Sequence, residues 1–355
     1  MDRDIDNKLN HTLDFLKSKS FNSILITGGT GLIGSSIIHA IDEWNKGAVE
    51  PITIIALVRH ISKAKSMFGE GTPNIKYIVG DVRTADFSGY YPDCIVHCAN
   101  PTSSKLFVSK PVETIETAVE GTKHVLEYAS TLSNLKRFIY LSTMEIYGTP
   151  QTDEVIHETH PTNIDTMKVR SCYPTSKRMC ENLCIAYAAE YKLPVNILRL
   201  TQTFGPGVDY YDERVFADFA RCVIEGRDIV LKTRGETKRS YLHTKDAVSA
   251  IFIIMSSNVE GEAFNVANKD TYCSIREMAR MVAEKIAGGK IAVKIEEDIN
   301  NLSGFAPTLH MNLSTDKLEK LGWTACYGLE DMYRNMIDSM INYKKQRSYD
   351  AICSV

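Results

Sequence analysis

The sequence contains no C-x-x-C pair, no block of like charges and no apolar run long enough to cross a bilayer. Its nine cysteines lack four-ligand zinc spacing, and no metal site is expected. The 41 basic and 44 acidic residues leave a net charge of -3, so the charge indicates no polyelectrolyte partner. Nucleic acid is therefore a poor candidate for a partner. The longest apolar run, residues 250–255, is far shorter than the roughly 20 residues of a membrane helix. These absences predict a globular protein that acts on neither membranes nor nucleic acids.

The composition and the N-terminus predict a cytoplasmic protein. With 355 residues, 44% hydrophobic and 24% charged, the chain can bury one large core or two unequal ones. The first residues, MDRDIDNKLNH, are acidic where a signal peptide would be basic. Unpaired cysteines beside apolar neighbours predict buried thiols in a reducing compartment. Ile5, Leu9, Leu13 and Leu16 recur at helical spacing, which predicts an amphipathic helix over residues 1–20.

Short β-branched runs alternate with longer helical patterns over the first 200 residues. The runs predict strands at 23–26, 52–58, 75–79, 94–97, 138–142 and 195–200, and the patterns predict helices at 34–45, 112–132 and 174–191. This alternation is typical of a Rossmann-like α/β fold with a doubly wound parallel sheet. We expect the Rossmann domain over 21–204, with a returning strand near 240–268. Residues 205–345, with a helix near 274–286, mainly form a smaller C-terminal substrate-binding lobe over the carboxyl ends of the strands.

A glycine-rich turn follows the first predicted strand. In ILITGGTGLIGSSII, Gly28, Gly31 and Gly34 are spaced three apart at the start of a helix. Such glycines let the backbone turn tightly and approach a pyrophosphate, which the helix amino end attracts. The candidate cofactor residues of this turn are Gly28, Thr30, Gly31, Leu32, Ile33 and Gly34. The turn therefore predicts dinucleotide binding.

The end of the second predicted strand lacks the expected acidic residue. A ribose-binding Asp or Glu should follow the glycines by about twenty residues, but the strand ends in Ala-Leu-Val and then Arg59. Arg59 could stack on adenine, bind a 2′-phosphate or be solvated. These roles leave both forms of the cofactor open, with NAD as the expected cofactor and NADP as the alternative. Asp81, after the third strand, could accept from the adenine amino group or close a turn. Val82 and Ala99 complete the candidate cofactor residues.

Tyr173 and Lys177 form a Y-x-x-x-K pair at the start of a predicted helix. Their i, i+4 spacing places both on one helix face, so the ammonium is expected to lower the pKa of the phenol and make it a base. Lys177 could also hold the nicotinamide ribose. Thr143, on the strand upstream, completes a candidate catalytic group with them.

Three ordered motifs carry a resemblance to a known family. TGGTGLIG, STMEIYG and YPTSK resemble the extended short-chain dehydrogenases/reductases that modify nucleotide sugars, over about residues 22–340. HCANPTSS, RSCYPTSKR, TFGPG, DERV and KRSYLHTKDAV are similar to the UDP-glucuronate decarboxylase branch. The resemblance implies that Thr143, Tyr173 and Lys177 oxidise the sugar at C4 by hydride transfer to NAD. It also implies a redox-neutral cycle and a role for Glu145 in positioning or proton transfer near C5.

Met144, between Thr143 and Glu145, departs from the patterns of this family. At the matching position the 4,6-dehydratases have an aspartate that protonates departing water, and the decarboxylases have a serine. Methionine can neither move a proton nor hold a charge, so simple dehydration lacks its acid here. A 4-epimerase needs neither side chain, and both decarboxylase-like and epimerase-like outcomes stay open.

The resemblance places substrate-binding residues in the second lobe. It implies that Arg239 contacts the diphosphate or the sugar, with Arg214 as a second candidate, because a guanidinium suits phosphate oxygens. Gln202 stands where the family has Asn, Gly207 where the decarboxylases have Arg, and Ala118 at another usual Asn position. These departures predict an altered substrate.

Two other functions remain as alternatives to the nucleotide-sugar enzyme. One is an NADPH-dependent ketone reductase of the same fold, which Arg59 would suit, and the other is a non-catalytic nucleotide-binding protein. The resemblance further implies a homodimer, in which helices 112–132 and 174–191 of each copy form a four-helix bundle.

Overall fold

The structure is a computed structural model that describes residues 12–17, 19–297 and 308–353, with side chains described up to residue 344. Residues 12–14 are helical, whereas residues 15–17 form a turn and residues 19–20 have no regular structure, so the prediction of a helix as far as residue 20 is wrong at this end. The remainder of the helix predicted over residues 1–20 lies largely outside the described residues. None of the described helices combines the length and the apolar character that a bilayer crossing requires.

The described elements alternate between strands and helices as far as residue 200. The strands are β1 Ser23–Thr27, β2 Thr53–Val58, β3 Ile75–Val79, β4 Cys94–His97, β5 Arg137–Thr143, β6 Val155–Ile156, β7 Val195–Leu200, β8 Gln202–Phe204, β9 Ile229–Leu231, β10 Lys238–His243, β11 Glu262–Val266, β12 Asn268–Ser274, β13 Val293–Ile295 and β14 His310–Leu313. The helices are α1 Leu32–Asn45, α2 Ile61–Phe68, α3 Ser104–Ser109, α4 Pro111–Ser130, α5 Cys172–Tyr191, α6 Val215–Glu225, α7 Thr244–Ser256, α8 Ile275–Met281, α9 Asp316–Glu319 and α10 Leu329–Cys353. Short 3-10 turns cover Met144–Tyr147 and Val169–Ser171.

A seven-stranded sheet forms the larger part of the molecule. Its strand order is β11-β7-β5-β4-β1-β2-β3, and every neighbouring pair is parallel. The strands nearest its centre, β1, β4 and β5, are buried except at their first residue or throughout, because helices cover both faces of the parallel sheet. The predicted Rossmann-like α/β fold is confirmed, and each predicted strand is present with ends that differ by at most one residue.

Two hydrophobic clusters fill the two faces of this sheet. One joins α1 and α7 to strand residues such as Ile24 and Leu198, and the other joins α4 and α5 to residues such as Leu25 and Ile197. Successive side chains of a strand point to opposite faces of the sheet, so neighbouring residues of one strand belong to different clusters. After α7 the chain returns to the sheet edge as β11.

The remaining elements build a second, smaller unit. Strands β12, β10, β14 and β6 form a short mixed sheet, with β8 paired to β10. Its separate core is formed mainly by residues of α6, α8 and α10. Helix α8 starts at a capping box in which Ser274 and Glu277 each bond the other's backbone N–H. The helix predicted over 274–286 is thus an α-helix that continues as a π-helical turn over Val282–Ile286.

Candidate active site

A cleft of about 530 Å³ lies at the carboxyl ends of the parallel strands. This is the edge at which open α/β sheets bind ligands. Sixteen of the candidate site residues line it: Gly28, Thr30, Gly31, Leu32, Ile33, Gly34, Arg59, Asp81, Val82, Ala99, Thr143, Glu145, Tyr173, Lys177, Gln202 and Arg214. Arg239 is not among the residues that line the cleft.

The turn between β1 and α1 has no room for side chains. Gly28 has φ +70°, and a Cβ there would lie 3.0 Å from the Ala99 backbone. A Cβ on Gly34 would overlap the carbonyl oxygen of Gly28, because the helix packs directly on the turn. No side chain caps the start of α1 and its first turn has no acidic residue, so its amide groups can receive an anion. The turn therefore fits the pyrophosphate of a dinucleotide.

A buried hydrogen-bond chain supports this turn from below. The Thr27 hydroxyl accepts from the amides of Cys98 and Ala99, each at 3.1 Å. Because this hydroxyl already accepts two bonds, it donates its own proton to His97 Nδ1, 2.7 Å away. The neutral His97 ring then carries its proton on Nε2 and donates it to the Thr122 hydroxyl. Burial lowers the pKa of His97 to about 3, so the ring is neutral. The chain joins β1, β4 and α4 beneath the cofactor turn.

Asp81 closes a turn at the end of β3. Its carboxylate accepts from the Arg83 amide at 2.9 Å and from the Arg83 guanidinium at 2.9 and 3.0 Å. These bonds lower the pKa of the Asp81 carboxyl. Closing a turn was one of the two roles that the sequence allowed for Asp81, and this role is observed directly. Asp81 also lines the cleft.

Tyr173 and Lys177 lie near the start of α5 and face the end of β5. The Tyr173 hydroxyl is hydrogen-bonded to the Thr143 side chain. The Lys177 ammonium donates to the Leu141 carbonyl at 2.6 Å and lies 4.6 Å from the Tyr140 ring centroid. The i, i+4 spacing thus brings a phenol, an ammonium and a hydroxyl together at one wall of the cleft.

The expected lowering of the Tyr173 pKa is wrong for this structure. Burial raises the pKa of the phenol, Glu145 adds to the rise, and the bond from Thr143 opposes it. Burial also lowers the pKa of Lys177 to about 8, which still leaves the side chain mostly as the ammonium at neutral pH. The sequence revealed the spacing of the pair but not its desolvation.

Glu145 is fixed by an arginine that the sequence reading did not single out. Arg170 donates to the two carboxylate oxygens of Glu145 at 2.7 and 3.2 Å, and the Glu145 amide donates to the Thr143 hydroxyl at 3.3 Å. Bidentate pairing of this kind favours an ionised carboxylate in one orientation. Arg170 opens the motif RSCYPTSKR, so its position beside Tyr173 was the available signal.

Phe107 and Asn100 are two further residues that the sequence reading missed. The Phe107 ring stacks on Tyr173 with centroids 4.2 Å apart and planes 9° apart. Neither amide atom of Asn100, which lines the cleft, has a hydrogen-bond partner among the described residues. A buried amide without a partner is costly, so Asn100 is suited to a polar ligand group. Both residues follow β4, in or beside the motif HCANPTSS.

Met144 is buried at the entrance to the 3-10 turn after β5. Its sulfur accepts from the Thr201 hydroxyl at 3.2 Å, and its side chain packs with Ile146 and Met311. Because it also lines the cleft, the site has an apolar surface between Thr143 and Glu145.

The substrate candidates of the second lobe differ in their contacts. Arg214 immediately precedes α6 and is paired with Asp212, with Nε 3.0 and 3.1 Å from the two carboxylate oxygens. Arg239 lies on β10, where its Nη1 is 3.4 Å from Gln202 Oε1 and its Nε has no partner among the described residues. Arg239 is thus beside Gln202 but does not form the cleft wall.

Comparison with known proteins identifies the family. A model of the NAD dependent epimerase/dehydratase family matches residues 24–267, which include the glycine turn and the catalytic candidates. The chain belongs to this NAD-dependent family of enzymes. Its resemblance to the extended short-chain dehydrogenases/reductases is confirmed, and NAD is the cofactor of the family. The glycine turn fits that cofactor.

The relatives of this family member include several decarboxylases. UDP-N-acetyl-alpha-D-glucosaminuronate decarboxylase of Bacillus cytotoxicus is 33% identical over 263 residues, which cover 72% of this chain and 78% of that protein. UDP-glucuronic acid decarboxylase 6 of Arabidopsis thaliana is 30% identical over 277 residues, which cover 76% of each chain. UDP-glucuronic acid decarboxylase 1 of Xenopus tropicalis is 29% identical, with 78% of this chain and 64% of that protein covered.

Solved structures share the fold of this family member. The UDP-glucose 4-epimerase of Thermotoga maritima has a TM-score of 0.76 and 22% identity, with 90% of this chain and 99% of that chain covered. The UDP-glucuronic acid 4-epimerase of Bacillus cereus, in complex with NAD, has a TM-score of 0.74 and 21% identity at the same coverage. At such identities the likeness establishes the architecture alone.

Proposed function

We propose that the protein decarboxylates a nucleotide-linked uronic acid through a C4-keto intermediate. The observation that carries the proposal is the grouping of Tyr173, Thr143 and Lys177 beside Glu145, which Arg170 holds in the same cleft. Relatives at 33% and 30% identity are uronate decarboxylases by name, which supports the same reaction class. Such an enzyme is a lyase.

Each of these side chains has a distinct task in the proposed reaction. The chemistry that bound NAD supplies is reversible hydride acceptance at C4, which makes the cycle redox-neutral. Tyr173 takes the proton of the C4 hydroxyl, Thr143 orients that phenol, and the Lys177 ammonium stabilises negative charge and holds the nicotinamide ribose. Glu145, fixed by Arg170, orients the proton that C5 receives. Tyr173 finally returns its proton to the C4 oxygen.

Loss of CO2 follows from the position of the ketone. A ketone at C4 makes the C6 carboxylate part of a β-keto acid, so the C5–C6 bond breaks and its electron pair passes into the C4 carbonyl. CO2 leaves, and a solvent proton, delivered to C5 through a water molecule that Glu145 orients, restores the ketone. No acid for departing water is required, which suits the buried Met144.

The second lobe is the proposed nucleotide-binding part. We assign the cofactor to residues 21–204 with the strand returning near 240–268, and the substrate mainly to 205–345. Gln202 and Arg214 line the cleft, and Arg239 lies directly behind Gln202. A guanidinium binds diphosphate oxygens well. A shift of Arg239 toward the cleft on substrate binding would therefore add its guanidinium to the groups that contact the diphosphate.

Product mass spectrometry tests the reaction. The purified protein is incubated with UDP-glucuronate, UDP-N-acetylglucosaminuronate and UDP-glucose, with added NAD and without it. We expect the uronates to lose the mass of CO2 without net reduction of the nicotinamide, and Tyr173→Phe to abolish that loss while still binding the cofactor. Loss of the mass of water, or turnover unchanged in Tyr173→Phe, contradicts the proposal.

A 4-epimerase is the second candidate, and Met144 favours it. An epimerase needs only rotation of the keto sugar between two hydride-transfer poses, and an apolar side chain between Thr143 and Glu145 does not hinder that. A product of unchanged mass with inverted configuration at C4, seen by NMR, would select this reaction.

We further propose a cytoplasmic homodimer. The cysteines with described side chains are free thiols, five of them buried, which suits a reducing compartment. Helices α4 and α5 pack against one another beside the sheet, and their outer surfaces leave large apolar side chains exposed. These are Val112, Ile115, Met179, Ile185 and Tyr191. Pairing of two such surfaces gives a four-helix bundle.

A further inference from the structure

A row of polar side chains crosses the sheet near the carboxyl ends of three neighbouring strands. Ser142 on β5 is opposite Arg199 on β7, and Arg199 is opposite Asn265 on β11. All three lie on the face that α4 and α5 cover, because the residues two positions earlier in their strands belong to the apolar cluster on that face. Ser142 also lines the cleft, so the row begins where the strands reach the candidate site.

Arg199 binds a carboxylate of the helix that carries the candidate catalytic pair. Its Nε and Nη2 donate to the two oxygens of Glu181 at 3.1 and 2.8 Å. Glu181 lies on α5, four residues after Lys177 and eight after Tyr173, so it faces the same side of that helix. The Ser142 hydroxyl donates to the same carboxylate at 2.5 Å. These bonds fix the position of α5 against both β5 and β7.

The same guanidinium also binds the turn that contains Glu145. Arg199 Nη1 donates to the Tyr147 hydroxyl at 2.9 Å and to the Glu158 carbonyl at 2.7 Å. The Tyr147 hydroxyl donates in turn to Asn265 Oδ1 at 2.7 Å, and the residue is buried. Tyr147 is the last residue of the 3-10 turn in which Glu145 lies. One side chain therefore connects α5 to this turn.

Stability alone does not require the buried ion pair. The side chains of Arg199 and Glu181 are 13% and 10% exposed, so both charges lose most of their hydration. A buried pair of this kind is often no more stabilising than apolar residues of the same volume. A guanidinium differs from an apolar side chain because it directs bonds to several partners in a fixed geometry. The distinctive contribution of the pair is therefore the geometry that it imposes on two parts of the site.

We propose that Arg199 is a positioning residue, which sets the distance between the α5 pair, Tyr173 and Lys177, and the carboxylate of Glu145. The inference rests on the proposed function, in which these groups act on adjacent carbons of one sugar, C4 and C5. Chemistry that passes from C4 to C5 in one bound intermediate requires that both groups keep a constant separation. Arg199 is not among the residues that line the cleft, so it acts through its two partners.

Variants that break one or both contacts test the proposal by steady-state kinetics. Tyr147→Phe removes only the hydroxyl that links Arg199 to the turn, and Arg199→Lys disturbs both contacts while it keeps the charge. The assay uses the nucleotide sugar that the wild-type protein turns over. We expect kcat to fall about 10-fold in Tyr147→Phe and roughly 100-fold in Arg199→Lys. KM should change by less than about threefold, because neither residue contacts the substrate.

Two residues outside the cleft provide matched controls. Arg137 is also 13% exposed and is paired with Glu260 at 2.9 Å. The Tyr128 hydroxyl donates to the Tyr90 carbonyl at 2.6 Å. We expect Arg137→Lys and Tyr128→Phe to lower the midpoint of thermal unfolding, as the test variants do, without a change in kcat. This comparison separates a loss of stability from a loss of position.

The placement of deuterium at C5 gives a readout that stability does not affect. In deuterium oxide, the wild-type protein should place one deuterium at C5 of the decarboxylated sugar in a single configuration, because Glu145 orients the donor water on one face of the ring. We expect Tyr147→Phe to yield both configurations, since the turn that holds Glu145 is released. NMR of the product measures their ratio.

The inference fails on either of two results. One is a kcat within about twofold of the wild-type value in both test variants. The other is a single deuterium configuration in Tyr147→Phe together with a loss of kcat in Arg199→Lys that Arg137→Lys matches. Tyr147→Phe, which removes one oxygen atom, serves if Arg199→Lys does not fold. Loss of CO2 by the wild-type protein is measured in the same assay, so a failure of the proposed function is recognised separately.

Discussion

At the scale of single residues, Arg170 contacts Glu145 with both terminal nitrogens of its guanidinium. The two residues belong to separate 3-10 turns, one after β5 and one before α5. Neither turn has a sequence pattern that predicts the other. The pair fixes the carboxylate next to the Tyr173 phenol, whose pKa is raised by burial and by Glu145 itself.

Replacement of Arg170 should impair turnover more than binding. We expect Arg170→Gln to lower kcat by about 10- to 100-fold with a smaller change in KM, because one charge-assisted contact orients Glu145. Arg170→Lys should recover part of the loss, since it keeps the charge but not the two-point contact. Steady-state kinetics on the active uronate measures both. Arg227→Gln, which also removes an arginine paired with carboxylates but lies outside the cleft, is the control. An unchanged kcat in Arg170→Gln would remove this residue from the mechanism.

Lys177 should make stability depend on pH above neutrality. Burial lowers its pKa to about 8 from an ordinary 10.5, so between these values the unfolded chain holds more protons than the folded one. The free energy of unfolding therefore rises with pH through that window, and the penalty is complete below pH 8.

The Lys177→Met variant isolates this effect. We expect its free energy of unfolding, from urea denaturation between pH 7 and pH 10, to lack the rise that the wild-type protein has. Other titrating groups cancel in the difference between the two proteins. Parallel pH curves would contradict the lowered pKa of Lys177, while loss of turnover in the variant is expected in either case.

At the scale of elements, the β1–α1 turn depends on the absence of one side chain. A Cβ on Gly34 would overlap the Gly28 carbonyl oxygen, whereas a Cβ on Gly47, just after α1, would meet nothing within 4 Å. The glycine at 34 is therefore required by packing, and the one at 47 is not.

Alanine substitutions at these two glycines test whether close packing requires a glycine at position 34. We expect Gly34→Ala to lower the free energy of unfolding by about 1–3 kcal/mol and to weaken cofactor binding at least tenfold, because the turn must move. Gly47→Ala should stay within about 0.5 kcal/mol of the wild type. Thermal denaturation with and without NAD measures both quantities. Equal behaviour of the two variants would show that α1 does not need close contact with the turn.

At the scale of the whole molecule, the outer faces of α4 and α5 are the surfaces that we propose for the dimer interface. Their inner faces lie in the core, with Val125, Leu126, Cys180 and Cys184 fully buried. Outside, Val112 is 64% exposed, and Ile115, Met179, Ile185 and Tyr191 are exposed with it.

Charge placed on these faces should break the proposed dimer. We expect the double variant Met179→Glu, Ile185→Glu to elute as a monomer, because two buried carboxylates would face an apolar partner surface. Light scattering coupled to gel filtration measures the mass. Met167→Glu, at a 90% exposed position outside both helices, should not change it. A wild-type protein that is monomeric at micromolar concentration would refute the assembly.

The sequence by itself determined the features that repeat at short range. Alternating β-branched and helical segments predicted six strands of the parallel sheet, and the spacing of Gly28, Gly31 and Gly34 predicted the tight turn that leads from β1 into α1. The i, i+4 spacing of Tyr173 and Lys177 placed them on one wall of the cleft. These predictions succeeded because backbone geometry fixes which neighbours along the chain share a face.

Only the tertiary structure decided how distant residues meet. It brought Arg170 to Glu145, stacked Phe107 on Tyr173, and buried the Tyr173 phenol so that its pKa rises instead of falling. It also left Arg239 behind Gln202 rather than in the cleft wall. The physical reason is that desolvation and pairing depend on which elements pack together, and no periodicity within one element encodes that.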